Sequence, residues 1–122
     1  MVERWQRLVF GDEIFESITP KVYALRVLEE AHELAQAEGV TEEEAEIIKR
    51  QVYSKPPGDP AQEVGGVLIT ITGYCITAKL SVEERFWAEM SRIMDPKIIE
   101  KVRHRNLDGD KIGMRRGPQI DE

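Results

Sequence analysis

The chain has 122 residues, room for one domain with a modest core. Hydrophobic residues make up 41% and charged residues 33%, a globular balance that argues against a disordered or membrane-embedded chain. The formal net charge of -6 opposes partnership with nucleic acid or an anionic membrane, yet leaves a small phosphate ligand open through a divalent cation.

No basic start followed by an apolar run and a small-residue cleavage site is present, so a cytoplasmic location is expected. The longest apolar stretch, 65–78, is too short for a bilayer and reads as a buried helix. Cys75, the single cysteine, cannot form an internal disulfide and reads as a core thiol.

In chain order, residues 2–10 predict a short helix anchored by Trp5 and Val9 and ended by Gly11. Thr19 before Pro20 is a cap followed by proline at the first helical position. Val22, Leu25, Val27, Leu28, Ala31, Leu34 and Ala35 then recur at helical spacing until Gly39 stops the run. Thr41 and Glu44 form a capping box that opens an acidic helix to about Tyr53, with Ala45, Ile48 and Val52 on its inner face. Lys55-Pro56-Pro57-Gly58 is a rigid break.

Asp59, Pro60 and Gln62 repeat the start signal, and Val64, Val67, Leu68, Ile71, Cys75 and Ile76 follow on a helix apolar over most of its circumference. The β-branched run 67–72 also suits a strand, but a lone strand would have no partner in this chain. Gly65 and Gly66 each cost about 1 kcal/mol in a helix relative to alanine, so a close helix or a ligand is expected to use the space. Ser81 and Glu84 cap the next helix, whose apolar face is Phe86, Trp87, Met90, Ile93 and Met94. Asp95-Pro96 bends or interrupts it before Ile98, Ile99 and Val102. The expectation is an all-α fold, a four- to five-helix antiparallel bundle, with residues 1–105 as a single helical domain and 106–122 as an extended or flexible tail.

The chemistry centres on carboxylates. Glu29, Glu30 and Glu33 lie three and four residues apart, so they share a helix face. Partly buried, such a cluster takes up protons or recruits a cation, and carboxylate oxygens suit Mg²⁺ or Mn²⁺. On spacing alone an exposed acidic face is an equal reading. Two features favour the metal: these glutamates interrupt an apolar helix, and Glu63 in the first turn of the other apolar helix offers a fourth carboxylate.

At these residues, and over roughly 5–105, the chain resembles the MazG-like all-alpha nucleoside triphosphate pyrophosphohydrolases, especially their small single-domain phage and bacterial branch. The family's first acidic motif is two adjacent glutamates and a third three residues beyond the second. Glu29-Glu30-Ala31-His32-Glu33 matches it. The second motif, a glutamate followed three residues later by an aspartate, is matched at Glu63 alone, because Gly66 stands at the aspartate position.

The resemblance implies a homodimer or homotetramer of the all-alpha NTP pyrophosphatase type. It implies a Mg²⁺ site (Mn²⁺ as substitute) from Glu29, Glu30, Glu33 and Glu63, the catalytic set, joined by Asp95. Nucleotide contacts would come from Lys97, Lys101 and Arg103, and an NTP or dNTP would be hydrolysed to its monophosphate and pyrophosphate. Gly66 implies fewer protein ligands or lost turnover. Asp59, one turn before Glu63, is both a candidate replacement and a helix cap. Asp95 equally reads as the cap of the helix from Pro96, Lys97 and Lys101 as a solvated basic face, and Arg26 as a salt-bridge partner of Glu30.

The alternative is a non-catalytic helical nucleotide-binding or protein-interaction module, the latter docking through Trp87, Met90 and Met94. Zinc is not expected, since neither His32 nor His104 has a ligand at zinc spacing. Asn106, Asp108 and Asp110 begin a calcium-loop pattern, but Lys111 and Gly117 occupy the positions of its glycine and final glutamate.

Overall fold

The computed structural model describes residues 1–108, with side chains through residue 105. Among them are seven helices and no strand: α1 (Val2–Phe10), α2 (Asp12–Ser17), α3 (Pro20–Ala37), α4 (Glu42–Tyr53), α5 (Pro60–Ala78), α6 (Val82–Ile93) and α7 (Pro96–Asp108). The all-α expectation holds, and the count exceeds the four or five expected for two local reasons. The six-residue α2 is too short to show a periodic apolar pattern. Asp95-Pro96 separates α6 from α7 outright, because proline lacks the N–H that would continue the helix. Helix α7 carries three residues beyond 105, and the rest of the expected tail, 109–122, lies outside the described residues. No single described helix is long and apolar enough to cross a membrane.

Two compact units divide the chain, Met1–Glu33 together with the segment from Ala88, and Leu34–Trp87. In the first, α1 packs on α2 and α7. Trp5, Val9, Phe10, Val22, Met90 and Val102 form its buried core, with Ile14, Ile18, Tyr23, Ile93, Met94, Ile98 and Ile99 packed around them. The Trp5 ring meets Phe10 edge to face at 6.2 Å, and its indole N–H donates to the Ile93 carbonyl at 2.9 Å. The Arg103 Nε donates to the Leu8 carbonyl at 2.7 Å. Both acceptors lie in the last turn of a helix, where carbonyls have no partner within the helix. Arg7 joins α1 to α2: its guanidinium pairs with Glu3, Asp12 and Glu16 at 3.0–3.2 Å and lies 4.3 Å over the Phe15 ring. The carboxylates of Asp12, Glu16 and Glu3 hold this guanidinium well above its ordinary pKa, so it stays protonated.

In the second unit the expected start and stop signals are in place. Gly39 ends α3 at φ 90°, with Val40 N–H donating to the Ala35 carbonyl and Gly39 N–H to that of Gln36. This is the left-handed stop that glycine adopts without strain. The Thr41 hydroxyl accepts from Glu44 N–H at 3.1 Å while the Glu44 carboxylate accepts from Thr41 N–H at 2.9 Å, completing the box. Asp59 caps α5 through Gln62 N–H at 3.1 Å, and Ser81 caps α6 through Glu84 N–H at 3.1 Å. The Tyr74 hydroxyl donates to Glu38 at 2.6 Å.

Burial departs from expectation here. Among the described residues of the second unit, Cys75 is the one buried hydrophobic residue. Ile48 and Val52 on α4 are exposed, and α5, expected to be buried, leaves Ile69 74% and Ile76 73% exposed. Periodicity reports that a helix face needs apolar cover and says nothing of where the cover comes from. Phe86 and Trp87, expected on the same inner face as Met90, are also exposed and stack edge to face at 5.1 Å.

Candidate functional site

Helix α3 displays the acidic motif because its apolar residues are interrupted for one turn. Glu29 is half-buried, and Glu30 and Glu33 are exposed. Arg26 does not pair with Glu30 as expected: its Nε lies 3.6 Å from Glu29 Oε1. Both glutamates are neighbours of Arg26 on the helix surface, and the ion pair forms with the one at i+3. The Arg26 side chain is only 16% exposed. Its Nε and Nη1 are buried with no hydrogen-bond partner among the described residues. A buried guanidinium without acceptors is costly, so the acidic turn is the setting in which this cation is tolerated. Sequence spacing pointed to Arg26 as a partner, not to its burial.

A second cation stands near the motif. Arg92 is held in two hydrogen bonds by Glu89, at 2.7 and 3.0 Å. Glu89 first and foremost, with a smaller contribution from Glu30, holds its guanidinium above the ordinary value. The same pairing holds the Glu89 carboxyl below its usual range. Arg92 had no place in the sequence expectations, and only the fold brings it near Glu30.

The other expected residues divide by what their side chains already do. Asp95 accepts from Lys97 N–H at 2.8 Å, which is the capping role. Asp59 is likewise engaged as a cap. Arg103 is tied to Leu8, with Glu100 at 4.0 Å. Lys97 and Lys101 are exposed, one turn apart on α7.

Glu63 lies in the second unit, while Glu29, Glu30 and Glu33 lie in the first. It is exposed on the first turn of α5, its carboxylate turned back over Gly58. A Cβ added at Gly66 would lie 4.0 Å from Glu63 Oε1, an ordinary contact. The position expected for aspartate is therefore beside Glu63 and has room for a side chain.

Glutamate oxygens are the hard donors that Mg²⁺ prefers, so the donor chemistry fits the metal. Their convergence is a separate matter. Among the described residues no group of three His, Cys, Asp or Glu side chains is close enough to hold a metal ion. Three carboxylates on one short stretch of helix project outward and need ligands from another element to close a coordination shell.

No family model matches the chain, and no curated protein or solved structure matches it.

Proposed function

We propose that the chain is a metal-dependent nucleoside triphosphate pyrophosphohydrolase of the cytoplasm, acting as a homodimer or homotetramer on an NTP or dNTP. The observation that carries this reading is the acidic turn of α3, with Glu30 and Glu33 exposed and Glu29 half-buried beside Arg26. It presents the motif that the MazG-like resemblance rests on.

Glu29, Glu30, Glu33 and Glu63 are the residues that would hold Mg²⁺ or Mn²⁺, with Asp95 as a further carboxylate that would first have to release its cap. When bound, the metal neutralises charge that develops on the phosphate oxygens. One glutamate of the set takes the proton of the attacking water. Lys97 and Lys101 are free to place their ammonium groups on phosphate oxygens, and Arg103 offers only the guanidinium edge not spent on Leu8.

A second reading is favoured by Gly66, which supplies no carboxylate where the family motif has one. It is a helical module that binds a nucleotide or a protein without turning a nucleotide over. Purified chain incubated with a panel of canonical and modified triphosphates, with and without Mg²⁺, separates the two. The hydrolase reading expects metal-dependent pyrophosphate release that disappears in Glu30→Ala and Glu33→Ala. Triphosphate binding without release across the whole panel would establish the non-catalytic module instead, and absence of binding would leave protein interaction.

A further inference from the structure

At 3.6 residues per turn, Arg26, Glu29, Glu30 and Glu33 fall within an arc of about 100° on α3. The acidic turn therefore carries a cation of its own, and the three carboxylates meet it unequally. Glu29 is drawn in, its side chain 40% exposed and its Oε1 3.6 Å from Arg26 Nε. Glu30 and Glu33 stand exposed.

Arg26 also differs from the other guanidinium near the motif. Arg92 is spent in two hydrogen bonds to Glu89. Arg26 Nε and Nη1 are buried and have no hydrogen-bond partner among the described residues. Donors buried in this way are not presented to a phosphate arriving from solution, so Arg26 is not placed to grip a nucleotide directly. What it offers is charge. A guanidinium taken out of water is drawn more strongly to its anion, because attraction rises as the local dielectric falls, and Glu29 is the carboxylate it pairs with.

We propose that Arg26 is a positioning residue of the acidic turn, and that it competes with the divalent cation for the Glu29 carboxylate. The inference rests on the hydrolase reading and sets an order within its metal set. Glu30 and Glu33 are exposed neighbours three residues apart and offer their oxygens first. Glu29 joins them only by exchanging its guanidinium for the metal, since two cations repel each other at one carboxylate. A resident cation limits the mutual repulsion of three carboxylates on one turn, and it does so at the cost of weaker metal binding.

Mn²⁺ binding to the full chain without nucleotide, followed by electron paramagnetic resonance of the free ion, tests this with no turnover involved. Arg26→Gln should bind Mn²⁺ about three- to tenfold more tightly than the wild type, the size expected for removing one positive charge several ångströms from the ion. Arg26→Met keeps the apolar stem that the fold buries and should do the same, with helical circular dichroism unchanged in both. Arg26→Lys keeps the charge and should bind as the wild type does. Competition also couples two residues: Glu29→Gln should cost at least about threefold more affinity in the Arg26→Gln background than in the wild type, because only there is that carboxylate open to the ion. Unchanged or weaker binding in the neutral variants overturns the proposal, and the metal reading still stands if Glu30→Gln and Glu33→Gln weaken binding. An equal cost of Glu29→Gln in the two backgrounds overturns it too, by making Arg26 a distant charge only. A wild-type chain that binds no Mn²⁺ sinks the metal reading and this proposal together.

Discussion

The Tyr74 hydroxyl donates to the Glu38 carboxylate at 2.6 Å, linking the C-terminal part of α5 to the turn that follows α3. Glu38 is the main cause of a raised Tyr74 pKa, through the hydrogen bond and then, after burial, through its negative charge. A phenol whose folded-state pKa is raised contributes its full stabilisation below the unfolded value, near 10.0, and loses it as pH rises through the folded value. The tie should therefore persist through neutral pH and weaken only in strong alkali. Subtracting the tyrosinate absorbance titration of Tyr74→Phe from that of the wild type isolates this phenol. It is expected to ionise above the free-tyrosine range, and ionisation at or below that range would show that the hydrogen bond is not formed.

Trp5 supplies both packing and a hydrogen bond to the first unit. Trp5→Ala is expected to destabilise the fold by about 3–5 kcal/mol, the range for emptying a large aromatic site. Trp5→Phe keeps most of the ring but strands the Ile93 carbonyl, at about 1–3 kcal/mol. Urea unfolding followed by circular dichroism measures both, and equal losses in the two variants would contradict a separate role for the indole N–H.

Two left-handed residues close helices with opposite consequences. Gly39 stands at φ 90° after α3 and Lys79 at φ 60° after α5. Gly39→Ala places a Cβ in that conformation and should cost about 1–2 kcal/mol. Lys79→Gly removes one and should stabilise by about 1 kcal/mol. Thermal melts moving both variants in the same direction would refute this account of the caps.

The capping box at α4 is a purely local device, with the Thr41 hydroxyl on Glu44 N–H and the Glu44 carboxylate on Thr41 N–H. Thr41→Ala should cost about 1 kcal/mol, and hydrogen exchange should show the loss first in the amides of the first turn of α4. A uniform rise in exchange across both units would mean that Thr41 does something other than cap.

The proposed metal site predicts a split between carboxylates. Glu30→Gln and Glu33→Gln keep size and polarity but remove a metal-binding charge, so Mg²⁺-dependent pyrophosphate release should fall by at least tenfold in each. Asp95→Asn, whose carboxylate is engaged by Lys97 N–H, should lower activity less. Raising Mg²⁺ should recover part of the loss if the glutamates act by holding metal. A loss unaffected by Mg²⁺ would assign them another role.

The sequence by itself determined where α4, α5 and α6 begin and where α3 ends. Thr41 with Glu44, Asp59 with Pro60, Ser81 with Glu84, and Gly39 act through backbone groups within a few residues, so their effect needs no distant partner. The acidic turn of α3 was legible for the same reason, since i+3 and i+4 spacing is a property of one helix. Burial was not. The most apolar helix, α5, is largely exposed in the single chain, while the core gathers on Trp5, Val9, Phe10, Val22, Met90 and Val102 from four separate helices. Tertiary structure alone decided that, along with the reach of Trp5 to Ile93, of Arg103 to Leu8 and of Arg92 towards Glu30. Apolar periodicity states that a face must be covered; which surface covers it depends on how segments far apart in sequence come together.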